Sequence, residues 1–209
     1  MITYRGLPAP VICDFLSRER SRTVYAPGTE FQIGRIDMVA NTGTYLDSPF
    51  HRFADGADLA DLSLMRLAEL DAVVIRAPHG AGRRISLELL TDALRQRPVR
   101  DRAVLVHTGW DVHWRTDRYF EGHPFLTREA AARLAAEGAA LVGIDSYNID
   151  DTDDGSRPVH TTLLGAGIPI VEHLCGLGHL PFDGFRFSAV PVKVRGMGTF
   201  PVRAYARLT

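Results

Sequence analysis

The sequence predicts one α/β domain spanning residues 1–209, with a mixed β-sheet and flanking helices. Three observations carry this reading. Apolar runs beginning near residues 71, 103, 140 and 168 are almost continuously hydrophobic, as strands buried on both faces are. Helix-period segments with short connections fall between them, which is the alternation of an α/β fold. The second half of the chain also carries strand-like runs without intervening helices, so the sheet is expected to be mixed rather than purely doubly wound.

The elements follow in order. Residues 1–30 are loop-rich, with Pro8, Pro10, Pro27 and Gly28 as breakers. Residues 31–40 (FQIGRIDMVA) read as extended and lead into a polar segment, 41–58, punctuated by Gly and Pro. DAVVIRA (71–77) is a β-rich run. SLELLTDALRQR (86–97) places Leu87, Leu90 and Leu94 on one helical face, with Ser86 as N-cap and Pro98 past its end. AVLVH (103–107) is a second buried strand. TREAAARLAAEG (127–138) is a helix capped by Thr127 and stopped by Gly138. ALVGID (140–145), IPIVE (168–172) and FSAVPVKV (187–194) are further apolar runs.

Composition narrows the function classes. With 45% hydrophobic and 23% charged residues, the chain is neither disordered, collagen-like nor a coiled coil. Its 25 acidic and 24 basic residues leave no basic excess, so neither nucleic acid nor an anionic membrane is an expected partner. Cys13 and Cys175 are too few for a disulfide framework or a thiolate zinc site. Charges interrupt the first 22 residues, and no apolar run approaches the ~18 residues of a membrane span. A soluble, cytoplasmic protein is expected. Gly165-Ala-Gly167 precedes a strand instead of opening a helix, so it reads as a helix stop and not as a phosphate loop.

The most informative stretch is Asn41-Thr-Gly-Thr-Tyr-Leu-Asp-Ser-Pro-Phe-His51, which brings a carboxylate, an imidazole, a phenol and an amide into one loop. An extended start would project Asn41, Gly43, Tyr45 and Asp47 to one side. Taken alone, the stretch reads equally as a tight loop in which Asp47 caps backbone N–H groups and His51 is a partly buried imidazole. His160 heads a short helix-like run stopped by Gly165 and Gly167, and Glu172 ends the next apolar strand. An imidazole and a carboxylate delivered to one end of a sheet form either a metal pair or a hydrogen-bonded dyad.

These residues resemble the signature H-x-G-T-H-x-D-x-P-x-H of the cyclase-like metal-dependent hydrolases, the family of bacterial kynurenine formamidase and isatin hydrolase. His107-Thr-Gly-Trp110, the pairs Tyr119-Phe120 and His123-Pro124, Gly143-Ile-Asp145 and the block His160–Leu174 fall in the family's order, so the resemblance spans roughly residues 30–208. It implies that Asp47, His160 and Glu172 are metal ligands and that His51 transfers protons. Imidazole and carboxylate ligands on zinc or manganese bring the pKa of a bound water to about 7, giving a hydroxide that attacks an amide carbonyl. The sequence departs from the signature twice: Asn41 and Tyr45 stand where two ligand histidines belong. Neutral Asn is a weak donor and Tyr must lose a proton of pKa ~10 to ligate well, so one of the family's two metal positions is expected to be lost.

The resemblance therefore implies a hydrolase of a C–N bond in an aryl formamide or cyclic amide with at most one divalent ion. His51, His160, Glu172 and Tyr45 are its catalytic candidates, and Asn41, Tyr45 and Trp110 its substrate-binding candidates. Two alternatives stay open. One is a metal-independent cyclase or lyase with His160/Glu172 as base and Tyr45 as acid; the other is a catalytically silent metabolite binder. A homodimer or homotetramer is the implied assembly. Trp114, Tyr119 and Phe120 read as core or pocket wall, and Cys175 has no activating neighbours. Asp150, Asp151, Asp153 and Asp154 read as a solvated acidic loop, lacking the Glu that completes a calcium loop. His79, His113, His173 and His179 carry no spacing signal.

Overall fold

The computed structural model describes residues 4–77, 82–94 and 98–208. The chain divides into two compact units, with the break between Gly43 and Thr44. The first unit holds strand β1 (Val11–Leu16), helix α1 (Arg18–Ser21) and strand β2 (Ile33–Asp37). β1 and β2 pair antiparallel from Val11↔Asp37 to Leu16↔Ile33. Residues 11–16 are thus a strand inside the segment expected to be loop-rich. The prolines and Gly28 flank this stretch, and the run between them carries Val11, Ile12 and Phe15, residues that favour a pleated backbone. Asn41 lies half-buried in a bend at the end of this unit.

The second unit runs through β3 (Tyr45–Asp47), β4 (Leu70–Arg76), β5 (Arg84–Ile85), α2 (Leu87–Leu94), β6 (Ala103–His107), β7 (Phe125–Leu126), α3 (Arg128–Ala136), β8 (Leu141–Ile144), α4 (Pro158–Gly165), β9 (Ile170–Glu172), β10 (Phe185–Ser188), β11 (Thr199–Pro201) and β12 (Tyr205–Leu208). Eight strands form one mixed sheet in the order β11-β3-β9-β8-β6-β4-β10-β12. β4, β6, β8 and β9 are parallel neighbours at its centre. Antiparallel strands flank them on both sides.

The central strands bury both faces, which explains their unbroken apolar sequences. Val73, Ile75, Val104, Val106, Val142 and Ile144 pack with Leu90, Leu94, Leu134 and Leu163 of the three helices. The alternate residues Ala72, Val74, Leu105, Leu141 and Val171 pack with Leu46, Leu59, Leu67, Leu177 and Phe185. Thr127 caps α3 by accepting the Ala130 N–H at 3.3 Å, and Gly138 stops it at φ +78°. Helix α2 follows the expected Leu face; the final residues of the expected segment, 95–97, lie outside the described residues. Of the run 187–194, only Phe187 and Ser188 belong to a strand, because β10 sits earlier in the chain and Pro191 lacks a ladder donor.

Candidate active site

Sheet register builds the site. Tyr45 lies opposite Glu172 and Asp47 opposite Ile170 on one side of β3, while Asp47 lies opposite Thr199 on the other. Alternation sends Leu46 into the core and leaves Tyr45 and Asp47 on the opposite face, where Glu172 and Thr199 meet them. The strand begins only at Tyr45, after Gly43 at φ +71°, so Asn41 and Gly43 do not continue the face as expected.

The imidazole comes from α4. Pro158 occupies the first turn, and Arg157, at the N-cap position with φ +46°, offers no side-chain cap. The missing acceptor is Asp150. Its Oδ1 accepts the Val159 N–H at 2.7 Å, and its Oδ2 accepts both the His160 N–H at 3.0 Å and His160 Nδ1–H at 2.6 Å. Asp150 is fully buried, which corrects its assignment to a solvated loop; the demand of an uncapped helix start draws it inward. Only Asp153 and Asp154 of that run are exposed, while Asp151 is paired with Arg83 at 3.0 Å.

With Nδ1 engaged, His160 Nε2 lies 3.7 Å from Asp47 Oδ2 and 3.7 Å from Glu172 Oε1. Glu172 is fixed from both sides. Its Oε2 accepts the Tyr45 O–H at 2.5 Å and Asn148 Nδ2–H at 3.4 Å, and its Oε1 accepts the Ile149 N–H at 2.7 Å. Thr199 joins the remaining pair. Its hydroxyl donates to Asp47 Oδ1 and, having spent its one proton, accepts from His51 Nδ1–H at 2.7 Å. Sequence reasoning missed Asp150 and Thr199. The first was detectable from a helix that opens on Arg157-Pro158 with no local cap; the second had no local signal.

Three buried carboxylates, Asp47, Asp150 and Glu172, thus surround one imidazole. Burial alone would depress His160, but its hydrogen bond to Asp150 and the nearby negative charges of Glu172 and Asp47 outweigh it and hold the imidazolium up to about 10. Burial pushes Glu172 above the usual carboxylate range. Asp47 Oδ2 is buried and has no hydrogen-bond partner. An orphaned carboxylate oxygen facing an imidazole nitrogen within an anionic pocket is a donor set suited to a divalent cation. Ligands on bonds of ~2.1 Å in a tetrahedral shell lie roughly 3.4 Å apart, close to the separations that Nε2 makes with Oδ2 and Oε1. Asp47, His51 and His160 also group within 4.8 Å, but His51 is partly exposed and spends Nδ1 on Thr199.

Beside the pocket, burial pushes the Tyr119 hydroxyl up, so it stays protonated and donates to His173 Nδ1 at 2.8 Å. Burial holds His173 neutral, down to about 3. The Tyr45 and Trp114 rings lie 5.2 and 6.1 Å from His173. Trp110 sits on the turn after β6, with its indole N–H on the Tyr119 carbonyl at 3.0 Å. It lines a cavity of about 330 Å³ with Thr108, Val112, His113 and Pro124, which none of Asp47, His51, His160 or Glu172 lines. Buried Asp145 anchors that turn by accepting both the N–H and the O–H of Thr108 and the N–H of Gly109. Cys175 is exposed, and His79 lies outside the described residues.

The family model "Putative cyclase" matches residues 9–151. The chain belongs to the cyclase family. This cyclase-family chain is 30% identical over 186 residues to the kynurenine formamidase of Paracidovorax citrulli, a match covering 87% of the chain and 82% of that protein. It is 26% identical over 176 residues to the kynurenine formamidase of Bacillus cytotoxicus, covering 84% and 79%. Among solved structures it resembles isatin hydrolase A of Labrenzia aggregata, with a TM-score of 0.81 at 21% identity over 99% of the chain and 86% of that chain. That likeness concerns the fold. The structure of a potential metal-dependent hydrolase with cyclase activity matches with a TM-score of 0.69 at 26% identity, over 94% of this chain and 96% of that one. Among the described residues, no helix is long and apolar enough to cross a membrane.

Proposed function

We propose that the protein is an enzyme that hydrolyses the C–N bond of an aryl formamide or cyclic amide, using one divalent ion. The observation that carries this reading is His160 Nε2 lying 3.7 Å from both Asp47 Oδ2, a buried oxygen with no hydrogen-bond partner, and Glu172 Oε1. The names of the relatives supply the substrate class.

Asp47, His160 and Glu172 hold the ion, proposed as zinc or manganese. When bound, it polarises a carbonyl and lowers the pKa of water towards 7. The chain's own residues do the rest. His51 keeps its Nδ1 proton in a hydrogen bond to Thr199 and so presents Nε2 as an acceptor, at the pocket edge where a leaving nitrogen needs a proton relay. Tyr45 keeps Glu172 turned towards His160 and out of solvent. Trp110 is proposed to contact the aryl group. A small molecule is the expected substrate, and a cytoplasmic homodimer or homotetramer the proposed state, with the assembly tested by light scattering.

The metal-independent alternative needs His160 as a neutral base paired with Glu172. Its Nδ1 is paired with Asp150 instead, and Glu172 Oε1 stands 3.7 Å from Nε2, beyond hydrogen-bond reach, which argues against that alternative. The test is turnover of N-formylkynurenine and isatin by purified protein, before and after chelation and after zinc or manganese is returned. Activity lost on chelation and recovered with metal is expected. Full activity in metal-free protein, or no turnover of any aryl formamide or cyclic amide by the metal-loaded protein, would refute the reading.

A further inference from the structure

We infer that Asp150 is a positioning residue that selects which nitrogen of His160 faces the pocket. The inference rests on the proposed cation site and adds a residue outside its ligand set.

An imidazole can present either nitrogen, and an unrestrained ring is free to exchange the two. Here one carboxylate removes that freedom. Asp150 Oδ2 accepts His160 Nδ1–H at 2.6 Å and the backbone N–H of the same residue at 3.0 Å, so ring and backbone are read by a single oxygen. Its other oxygen accepts the Val159 N–H, locking the carboxylate to the first turn of α4. A carboxylate accepts only, so the Nδ1 position must carry the proton and Nε2 is left to face Asp47 and Glu172.

Asp150 is itself held in place. Its N–H donates to Asn148 Oδ1 at 3.0 Å, and its carbonyl pairs with buried His123 Nε2 at 3.0 Å. Asn148 also reaches Glu172, and the N–H of Ile149 bonds the other oxygen of Glu172. The three consecutive residues Asn148, Ile149 and Asp150 therefore orient two proposed ligands at once. This is more than a helix cap requires: an Asn, Ser or Thr would satisfy the backbone donors as well, but only an acceptor fixed at Nδ1 sets the tautomer.

The test measures zinc affinity and ring protonation, neither of which needs a substrate. In zinc-loaded wild-type protein labelled with ¹⁵N, His160 is expected to carry its proton on Nδ1 and the metal on Nε2. Asp150→Ala is expected to raise the zinc Kd by about 10–100-fold, with added formate restoring part of the affinity. A cap and nothing more would lower the melting temperature of the chelated variant while leaving the Kd of its folded fraction within twofold of wild type; that result overturns the inference. So does a zinc-loaded wild type with the proton on Nε2, which can be read even if the variant fails to fold. A wild type that binds no divalent metal overturns the inference and the cation site together. Normal zinc binding without amide turnover would sink only the hydrolase reading.

Discussion

Replacing Tyr45 by Phe removes one oxygen from the site and tests how Glu172 is held. The phenol is 1% exposed and donates to Glu172 Oε2 at 2.5 Å. A second donor to that oxygen, Asn148, lies at 3.4 Å, so the shorter bond from Tyr45 is the stronger of the two. A hydrogen bond to a buried charge contributes about 1.5–3 kcal/mol. For a chain of this length each kcal/mol moves the melting temperature by about 2–4 °C, so a loss of about 6 °C is expected near the middle of that range. The loss has a pH signature. Tyr45 donates to the charged form and lowers the pKa of Glu172 against the burial that raises it. Deleting the donor raises that pKa further, so the deficit is largest at high pH, where the carboxylate must stay charged, and shrinks as Glu172 takes up a proton. Calorimetry of chelated wild type and Tyr45→Phe at pH 5.5, 7 and 8.5 measures it. A gap below 1 °C, or one that does not widen with pH, would refute the reasoning.

Other outcomes follow from the same geometry. His51→Ala is expected to keep its bound metal and lose about 10²–10⁴ in kcat, whereas Glu172→Gln loses metal; metal analysis beside steady-state kinetics separates ligand from proton carrier. His173 is held neutral to about 3, below its unfolded value, so its contribution to stability is present above pH ~6.5 and drains away as pH falls towards 3; His173→Phe should flatten the acid limb of the stability curve. An added Cβ at Gly198 would meet the backbone N and Cα of His51 at 2.4 and 2.5 Å. Gly198→Ala should therefore displace His51 and lower kcat more than it lowers metal content.

The parts of the fold legible in the sequence are those whose physics is local. Strands β4, β6 and β8 bury both faces and read as solid apolar runs; α3 carries its own Thr127 cap and Gly138 stop. Strand β1 was hidden because its residues lie mostly exposed between prolines, without alternation to mark them. In the site, Asp47 and His51 were legible as positions of one family signature, and His160 and Glu172 only as members of a downstream block in the family's order. Asp150 was masked by its acidic neighbours, whose composition is that of a solvated loop, although it alone turns inward. Thr199 could not be found locally, since its tie to Asp47 exists only through the pairing of β11 with β3.

That pairing has a consequence for how the protein is made. Tyr45 and Glu172 are separated by 127 residues, and Asp47 and Thr199 by 152. The helices and the parallel centre of the sheet rest on nearer contacts and can form as the chain emerges, because domains assemble from the N-terminal side during synthesis. The pocket closes only when β11 docks on β3, the most distant pairing in the site and so the one with the largest loop-closure cost. A nascent chain that has not yet reached residue 199 therefore lacks the link between Asp47 and His51. The proton relay is completed among the last events of folding, after the scaffold that carries it is already in place.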